Sequence, residues 1–388
     1  MATKIAFLIL VHKPAKALFP QVPRAPEPSR HCHLQMFLYS LTLQPATGVH
    51  RAVGGNFSAA KAHEVAVSRG KRLELYRRDE ASGVLQLVFS QEIFGIIRSI
   101  CSFRLTGSKK DLLVIGSDSG KIVFLDFSSV LNRFERVHAE TYGKSGCRRV
   151  IAGQYLASDP RGRAVMLASI EKQKFVYILN RDSANRLTIS SPLEAHKSKV
   201  ITFDICGLDV GYANPMFACI EVDYGEKENP ESAVYTGRAD KYLTYYEMDL
   251  GLNHVVRKAA SLIPASGNML ISVPGGTDGP GGVLVCCENE VLYCAFEKET
   301  IACSLPRRAD MSSERGLLMC SSSVLKQKDL ILVLAQSELG DIYRIYLHYD
   351  RTGVMGLKVS YFDTIFPCIS LCLLRGGFLF AGAECGDQ

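Results

Sequence analysis

The sequence predicts an all-β chain, a seven-bladed β-propeller of the non-WD type with its last blade incomplete. Three observations carry that expectation. Seven times an apolar run stops at a short polar or glycine-bearing turn and is answered by a second apolar run, beginning near Glu64, Leu112, Ala164, Met216, Val283, Leu330 and Phe378. Successive starts lie 48, 52, 52, 67, 47 and 48 residues apart, the period of a blade built from a small four-stranded sheet. Tryptophan is absent from all 388 residues, so Trp-Asp dipeptides cannot be the mark of these repeats.

In chain order, residues 1–35 stand apart, with five of the fifteen prolines, no glycine and a His31-Cys32-His33 run. The apolar stretch from Ile5 to Val11 is too short to span a bilayer and at the lower limit for a signal sequence. This segment reads as a disordered or artefactual extension, because Met36 opens a credible first strand. The propeller is expected over 36–388. In the first blade Val65-Ala66-Val67 pairs with Leu73-Glu74-Leu75-Tyr76 around Arg69-Gly70, glycine supplying the positive φ of a tight hairpin. Leu85 to Phe89 follows as an outer strand, and Arg98 to Leu105 enters the second blade.

That blade turns at Ser117-Asp118-Ser119-Gly120. The third pairs Ala164–Ala168 with Phe175–Leu179, and the fourth pairs Met216–Ile220 with Tyr242–Tyr246. Between the fourth blade's strands, Tyr224 to Lys241 reads as a loop insertion that accounts for the one stretched repeat. The fifth spans Val283 to Phe296, and the sixth runs from Leu330 through Gly340-Asp341 to Leu347. In the seventh, Phe378 to Gly386 reaches the turn and no answering strand follows, so the chain reads as the front of a longer protein.

A hydrophobic fraction of 47% fits a large core, and a formal charge of +6 does not announce nucleic acid. None of the thirteen cysteines forms a CxxC pair, which argues against zinc ribbons and redox motifs. Cys219, Cys286, Cys294, Cys320, Cys368 and Cys372 sit in apolar strands and read as reduced core residues. Cys286 and Cys287 are expected on opposite faces of one strand. A reducing compartment follows, where the Asn56-Phe57-Ser58 sequon has no meaning.

Catalytic patterns fail on inspection. Gly143-Lys144-Ser145 ends like a phosphate loop, but His138 stands where the first glycine is required. Gly275 to Gly282 is dense in glycine yet precedes a strand rather than a helix, and reads as a turn between blades. Glu194 beside His196, and His254 near Arg257 and Lys258, lack a nucleophile-elbow context. No enzyme, cofactor, metal site, membrane span or small-molecule substrate is expected. Basic loops carry more: Lys144, Arg148, Arg149, Arg307 and Arg308 are the candidate partner contacts, long accessible cations able to meet acidic side chains. Arg161 and Arg163 form a further basic turn.

The segments Gly143–Arg149, Gly162–Met166, Ile170–Lys174, Tyr177–Asp182, Leu187–Lys197, Asp249–Lys258 and Tyr361–Thr364 resemble the splicing factor 3b subunit 3 family. The likeness runs from Met36 to the end. The wider family includes damaged-DNA-binding protein 1 and the large subunit of the cleavage and polyadenylation factor. The resemblance implies three propellers in a full-length protein, this chain covering most of the first. It implies a nuclear, non-enzymatic scaffold of the U2 small nuclear ribonucleoprotein that supports branch-site recognition. Its partners would be the helical-repeat subunit 1 and small subunits of splicing factor 3b, with RNA contacted at most indirectly. An adaptor of the damaged-DNA-binding protein 1 type, serving a ubiquitin ligase, is the alternative.

Overall fold

The computed structural model describes residues 46–79, 82–93, 95–143, 149–184, 186–195, 197–225, 240–310, 312, 314–327, 330–351 and 353–384. The strand expected after Met36, the His31–His33 run, Lys144, Arg148 and His196 lie outside them. Every described element is a β-strand; among the described residues there is no helix.

The strands form a β-propeller. The first blade comprises β1 (Arg51–Gly55), β2 (Glu64–Arg69), β3 (Arg72–Arg78) and β4 (Leu85–Glu92). The second holds β5 (Ile97–Phe103), β6 (Leu112–Ser117), β7 (Lys121–Ser128) and β8 (Arg133–Thr141). In the third, β9 (Tyr155–Ser158), β10 (Ala164–Ala168) and β11 (Lys174–Arg181) are followed by an outer position shared by β12 (Leu187–Ile189) and β13 (Leu193–Glu194). Pro192 lies in the gap between these two pieces, and a proline has no N–H to give a ladder. The fourth blade is β14 (Val200–Leu208), β15 (Met216–Asp223), β16 (Lys241–Asp249) and β17 (His254–Ile263). The fifth is β18 (Met269–Ser272), β19 (Val283–Cys287), β20 (Glu290–Cys294) and β21 (Ile301–Ser304). The sixth is β22 (Met319–Gln327), β23 (Leu330–Ser337), β24 (Asp341–Tyr349) and β25 (Val354–Thr364). A two-stranded sheet, β26 (Ser370–Leu374) and β27 (Phe378–Gly382), completes the described strands.

All seven repeat starts read from the sequence are the first residues of strands: β2, β6, β10, β15, β19, β23 and β27. In β2, β6, β10, β15 and β19 the continuous apolar runs follow from burial on both faces. In β6, Leu113 and Ile115 pack with Leu73 and Leu75 of the first blade. The alternate residues Leu112 and Val114 pack with Val165 and Leu167 of the third. The same alternation sends Cys286 to the core shared with the sixth blade and Cys287 to that shared with the fourth, as a strand's period of two requires.

Three expectations are corrected. The glycine-dense stretch Gly275–Gly282 joins β18 to β19 inside the fifth blade rather than linking two blades. Its glycines are needed because Gly275 lies against the main chain of Asp209 in the fourth blade, where a Cβ would come within 2.0 Å of the carbonyl oxygen. Cys320 is exposed, unlike the other cysteines expected in apolar strands, and Cys368, although buried, lies in the connector between β25 and β26 rather than in a strand. The ladder between β22 and β23 shifts register between Met319 and Ser321, and such a bulge re-aims the residue it inserts.

Candidate functional site: the channel and its two mouths

Each of the six blades begins with its inner strand, and those strands, together with β26 of the two-stranded sheet, neighbour one another in the order β1, β5, β9, β14, β18, β22, β26 and back to β1. They all run the same way, so the ring has a leading face where inner strands begin and a trailing face where they end. A cavity of about 510 Å³ opens among the leading ends, lined by residues such as Arg51, Tyr155, Asp204, Asn268 and Glu338. Another of about 610 Å³ opens among the trailing ends, with Gly54, Ser102, Ser158 and Ser323 in its wall. Ser322 borders both.

The polar residues on these inner strands tie one blade to the next. Ser102 Oγ donates to the Gly54 carbonyl at 3.3 Å, Ser158 Oγ to that of Ser102 at 3.1 Å, and Ser272 Oγ to that of Gly207 at 2.6 Å. Ser323 Oγ accepts from the Leu373 amide at 2.8 Å. Ser370 Oγ accepts from the Ala52 amide at 2.9 Å and donates to its carbonyl at 3.2 Å, which joins the two-stranded sheet to the first blade. The same junction is bonded through the main chain, Val49 N donating to Ala383 O at 2.8 Å. Between the sixth blade and the two-stranded sheet, buried Gln336 accepts from the Cys368 amide at 2.8 Å and donates to the Phe366 carbonyl at 2.9 Å. These hydroxyls are bound to main chain rather than to a base, so they are arranged as cross-links and not as activated nucleophiles.

Asp204 is the most perturbed acid of the channel. A register shift in β14 between Thr202 and Asp204 turns it toward the fifth blade. There Oδ2 accepts from the Leu270 amide at 2.7 Å, and Oδ1 accepts from its neighbour Ile205 at 2.9 Å. Removal from water pushes its carboxyl up to about 6, a shift that these two hydrogen bonds and the Arg51 charge only partly oppose.

The candidate contacts within the described residues lie in connectors on the leading face. Arg149, between β8 and β9, pairs through Nε with Glu171 at 2.6 Å while most of its side chain stays exposed. Arg307 and Arg308 lie between β21 and β22. Arg307 Nη2 donates to Asn289 Oδ1 at 2.9 Å, and Arg308 pairs with Asp310 at 2.6 Å and with buried Asp341 at 3.5 Å. These cations therefore organise their own loops as well as facing solvent. Arg161 and Arg163 occupy the trailing face as staples: Arg163 pairs with buried Asp159 at 2.9 Å, and Arg161 reaches Asp209 and Asp278, each at 3.5 Å.

The sequon asparagine is also structural. Asn56 is buried, accepts from the His63 amide at 3.2 Å, and precedes the fully buried Phe57. Among the described residues no group of three His, Cys, Asp or Glu side chains is placed to hold a metal ion. The channel serines, Asp204 and Gln336 were not singled out from the sequence. For the serines and Asp204 the available signal was that a blade's inner strand carries more polar residues than its second strand; Gln336 lies inside the second strand β23, where no such signal exists.

The family profile described as the RSE1/DDB1/CPSF1 first beta-propeller matches residues 48–388. The chain belongs to this family. Spliceosome-associated protein 130 A of Arabidopsis thaliana is 53% identical over 353 residues, covering 91% of this chain and 29% of that protein. Splicing factor 3B subunit 3 of Danio rerio is 51% identical over 356 residues, with the same coverage. Pre-mRNA-splicing factor RSE1 of Mycosarcoma maydis is 45% identical over 364 residues, 91% of this chain and 30% of the relative. The chain thus spans under a third of the length of these relatives.

Proposed function

We propose that this propeller is a non-enzymatic scaffold module of the nuclear splicing machinery, a splicing factor 3b component of the U2 small nuclear ribonucleoprotein that supports branch-site recognition. The observation that carries the reading is identity of 51–53% over 91% of the chain to proteins named for splicing factor 3B subunit 3 and the spliceosome. The chemistry agrees with it. Inner-strand hydroxyls are committed to interblade cross-links, leaving loops and outer strands to meet other proteins. On this reading the two-stranded sheet is the inner half of a seventh blade, and 36–388 is the first propeller of a larger chain. The candidates Lys144, Arg148, Arg149, Arg307 and Arg308 meet acidic side chains of the helical-repeat subunit or of small subunits.

Affinity capture of the tagged chain from nuclear extract, followed by mass spectrometry, tests the proposal. Recovery of splicing factor 3b subunits is expected. Recovery of cullin-containing ligases in their place would replace this reading with the adaptor one.

A further inference from the structure

On the trailing face a cleft of about 670 Å³ separates the second blade from the third. Its walls come from the β5–β6 connector, the end of β7 with the turn into β8, the start of β8, and the β11–β12 turn. Four cations line it: Lys110, Arg136, Arg181 and Arg186. Lys110 is held by Asp126 at 3.5 Å and the Phe127 carbonyl at 2.8 Å, and Arg186 by Asp182 at 2.8 Å. The remaining wall acid, Glu135, faces Arg133 at 3.6 Å. Arg136 and Arg181 are both exposed and have no acidic partner among the described residues. Arg181 extends across Gly107 of the second blade, where a Cβ would sit 3.0 Å from its Nη2.

Apolar surface alternates with these cations. Val130 is 92% exposed, Leu131 beside it 52%, and Val137 42%. The patch continues onto the first blade, where Leu85 and Leu87 are exposed on β4. Asn132 Nδ2 donates to the Val88 carbonyl at 3.4 Å and fixes the β7–β8 turn against that strand.

We propose that this cleft docks an acidic segment of a partner protein, its carboxylates on Arg136 and Arg181 and an aliphatic side chain between them against Val130 and Val137. Unpaired guanidiniums beside exposed aliphatic groups make a protein contact: the fork geometry of Arg suits carboxylates, and the apolar knobs gain by burial. A nucleic acid strand fits less well. The lining ring, Phe127, is buried, so no platform is offered to stacking bases, and a phosphodiester chain has nothing to bury on valine.

The test uses the full 388-residue chain and a fluorescein-labelled twelve-residue peptide alternating Glu with Leu, read by fluorescence anisotropy. Control peptides carry Lys for Glu or Ser for Leu, and a uridine oligonucleotide of equal length provides the RNA arm. Saturable binding is expected, weakened at least tenfold in the Arg136→Glu/Arg181→Glu variant and unchanged in Lys358→Glu on the sixth blade. Each control peptide should bind at least tenfold more weakly. Photocrosslinking of a benzophenone-bearing peptide to the unaltered chain should label 105–137 or 181–187, which keeps the test independent of how the variant folds. Absence of saturable binding, label elsewhere, equal binding by the Ser-for-Leu control, or tighter binding of the oligonucleotide would each overturn the proposal.

Discussion

In the second blade, β6 and β8 flank β7 on its two sides, yet their surroundings differ at almost every residue. All six residues of β6 are buried, whereas in β8 only Phe134 of nine is. The second strand of a blade touches two neighbouring cores at once, so its side chains are constrained from both faces. The fourth strand has solvent along its outer edge, and its residues answer to surface chemistry instead. The same contrast separates β10 from β12, and β15 from β17. It locates fold stability in the inner and middle strands and recognition in the outer strands and turns.

The largest expected effect breaks that contrast from the inside. Lys174 and Glu221 form a buried ion pair across the third and fourth blades, and Tyr246 donates to the same carboxylate at 3.0 Å. Lys174→Met leaves that carboxylate uncompensated and is expected to cost about 3–5 kcal/mol, measured by urea unfolding. A loss under about 1 kcal/mol would mean the pair is dispensable. Next comes Asp204, whose folded carboxyl is pushed up to about 6 while the unfolded chain titrates near 4. Because the folded state holds the proton more tightly, this group favours folding most below about pH 4, and that contribution is lost as pH rises through about 6. Asp204→Asn keeps an acceptor for the Leu270 amide and removes the charge. It is expected to flatten the stability profile between pH 4 and 6, with a gain of up to about 3 kcal/mol near pH 7 relative to the parent. Parallel profiles for the two proteins would show that Asp204 stays solvated in the channel.

Much of the first region was legible in the sequence because a strand buried on both faces has an unmistakable signature, a continuous apolar run ended by a turn. The runs from Leu112 and Val283 show it, and hence the hairpin positions followed from spacing alone. The outer strands gave weaker signals: β12 and β13 are short and half polar, and β21 has the pattern of an ordinary loop. Within the candidate site, Arg149, Arg307 and Arg308 could be read as loop cations, but not their engagement with Glu171, Asn289 and Asp310. Glu171 and Asn289 come from other connectors, and Asp310, two residues from Arg308, meets it only through the geometry of the turn. The channel serines were invisible for a related reason, since their partners belong to the neighbouring inner strand, about fifty residues away or more, and for Ser370 at the other end of the chain. The glycine-dense turn of the fifth blade was misplaced because composition marks a turn without saying which two strands it joins.

A smaller perturbation asks how tightly the inner ring is assembled. Gly207 of β14 lies against β9, and a Cβ there would stand 2.0 Å from the Ser158 carbonyl oxygen, a main-chain atom that cannot swing aside. Gly207→Ala is expected to cost about 2 kcal/mol by overpacking, read as a lowered urea midpoint with an unchanged slope. Parental stability would mean that adjacent blades can part without cost. At the other extreme is Leu252, 75% exposed at the tip of the β16–β17 turn. That turn is held by its own hydrogen bonds: Asp249 Oδ1 accepts from the Gly251 amide at 2.9 Å and from Leu252 at 3.0 Å. Its side chain is not needed to shape the hairpin, and Leu252→Ser is expected to change stability by less than about 0.5 kcal/mol. If it instead cost more than about 1 kcal/mol, the trailing-face turns would be part of the folding core, and the division between buried strands and exposed turns would fail where it is most clearly drawn.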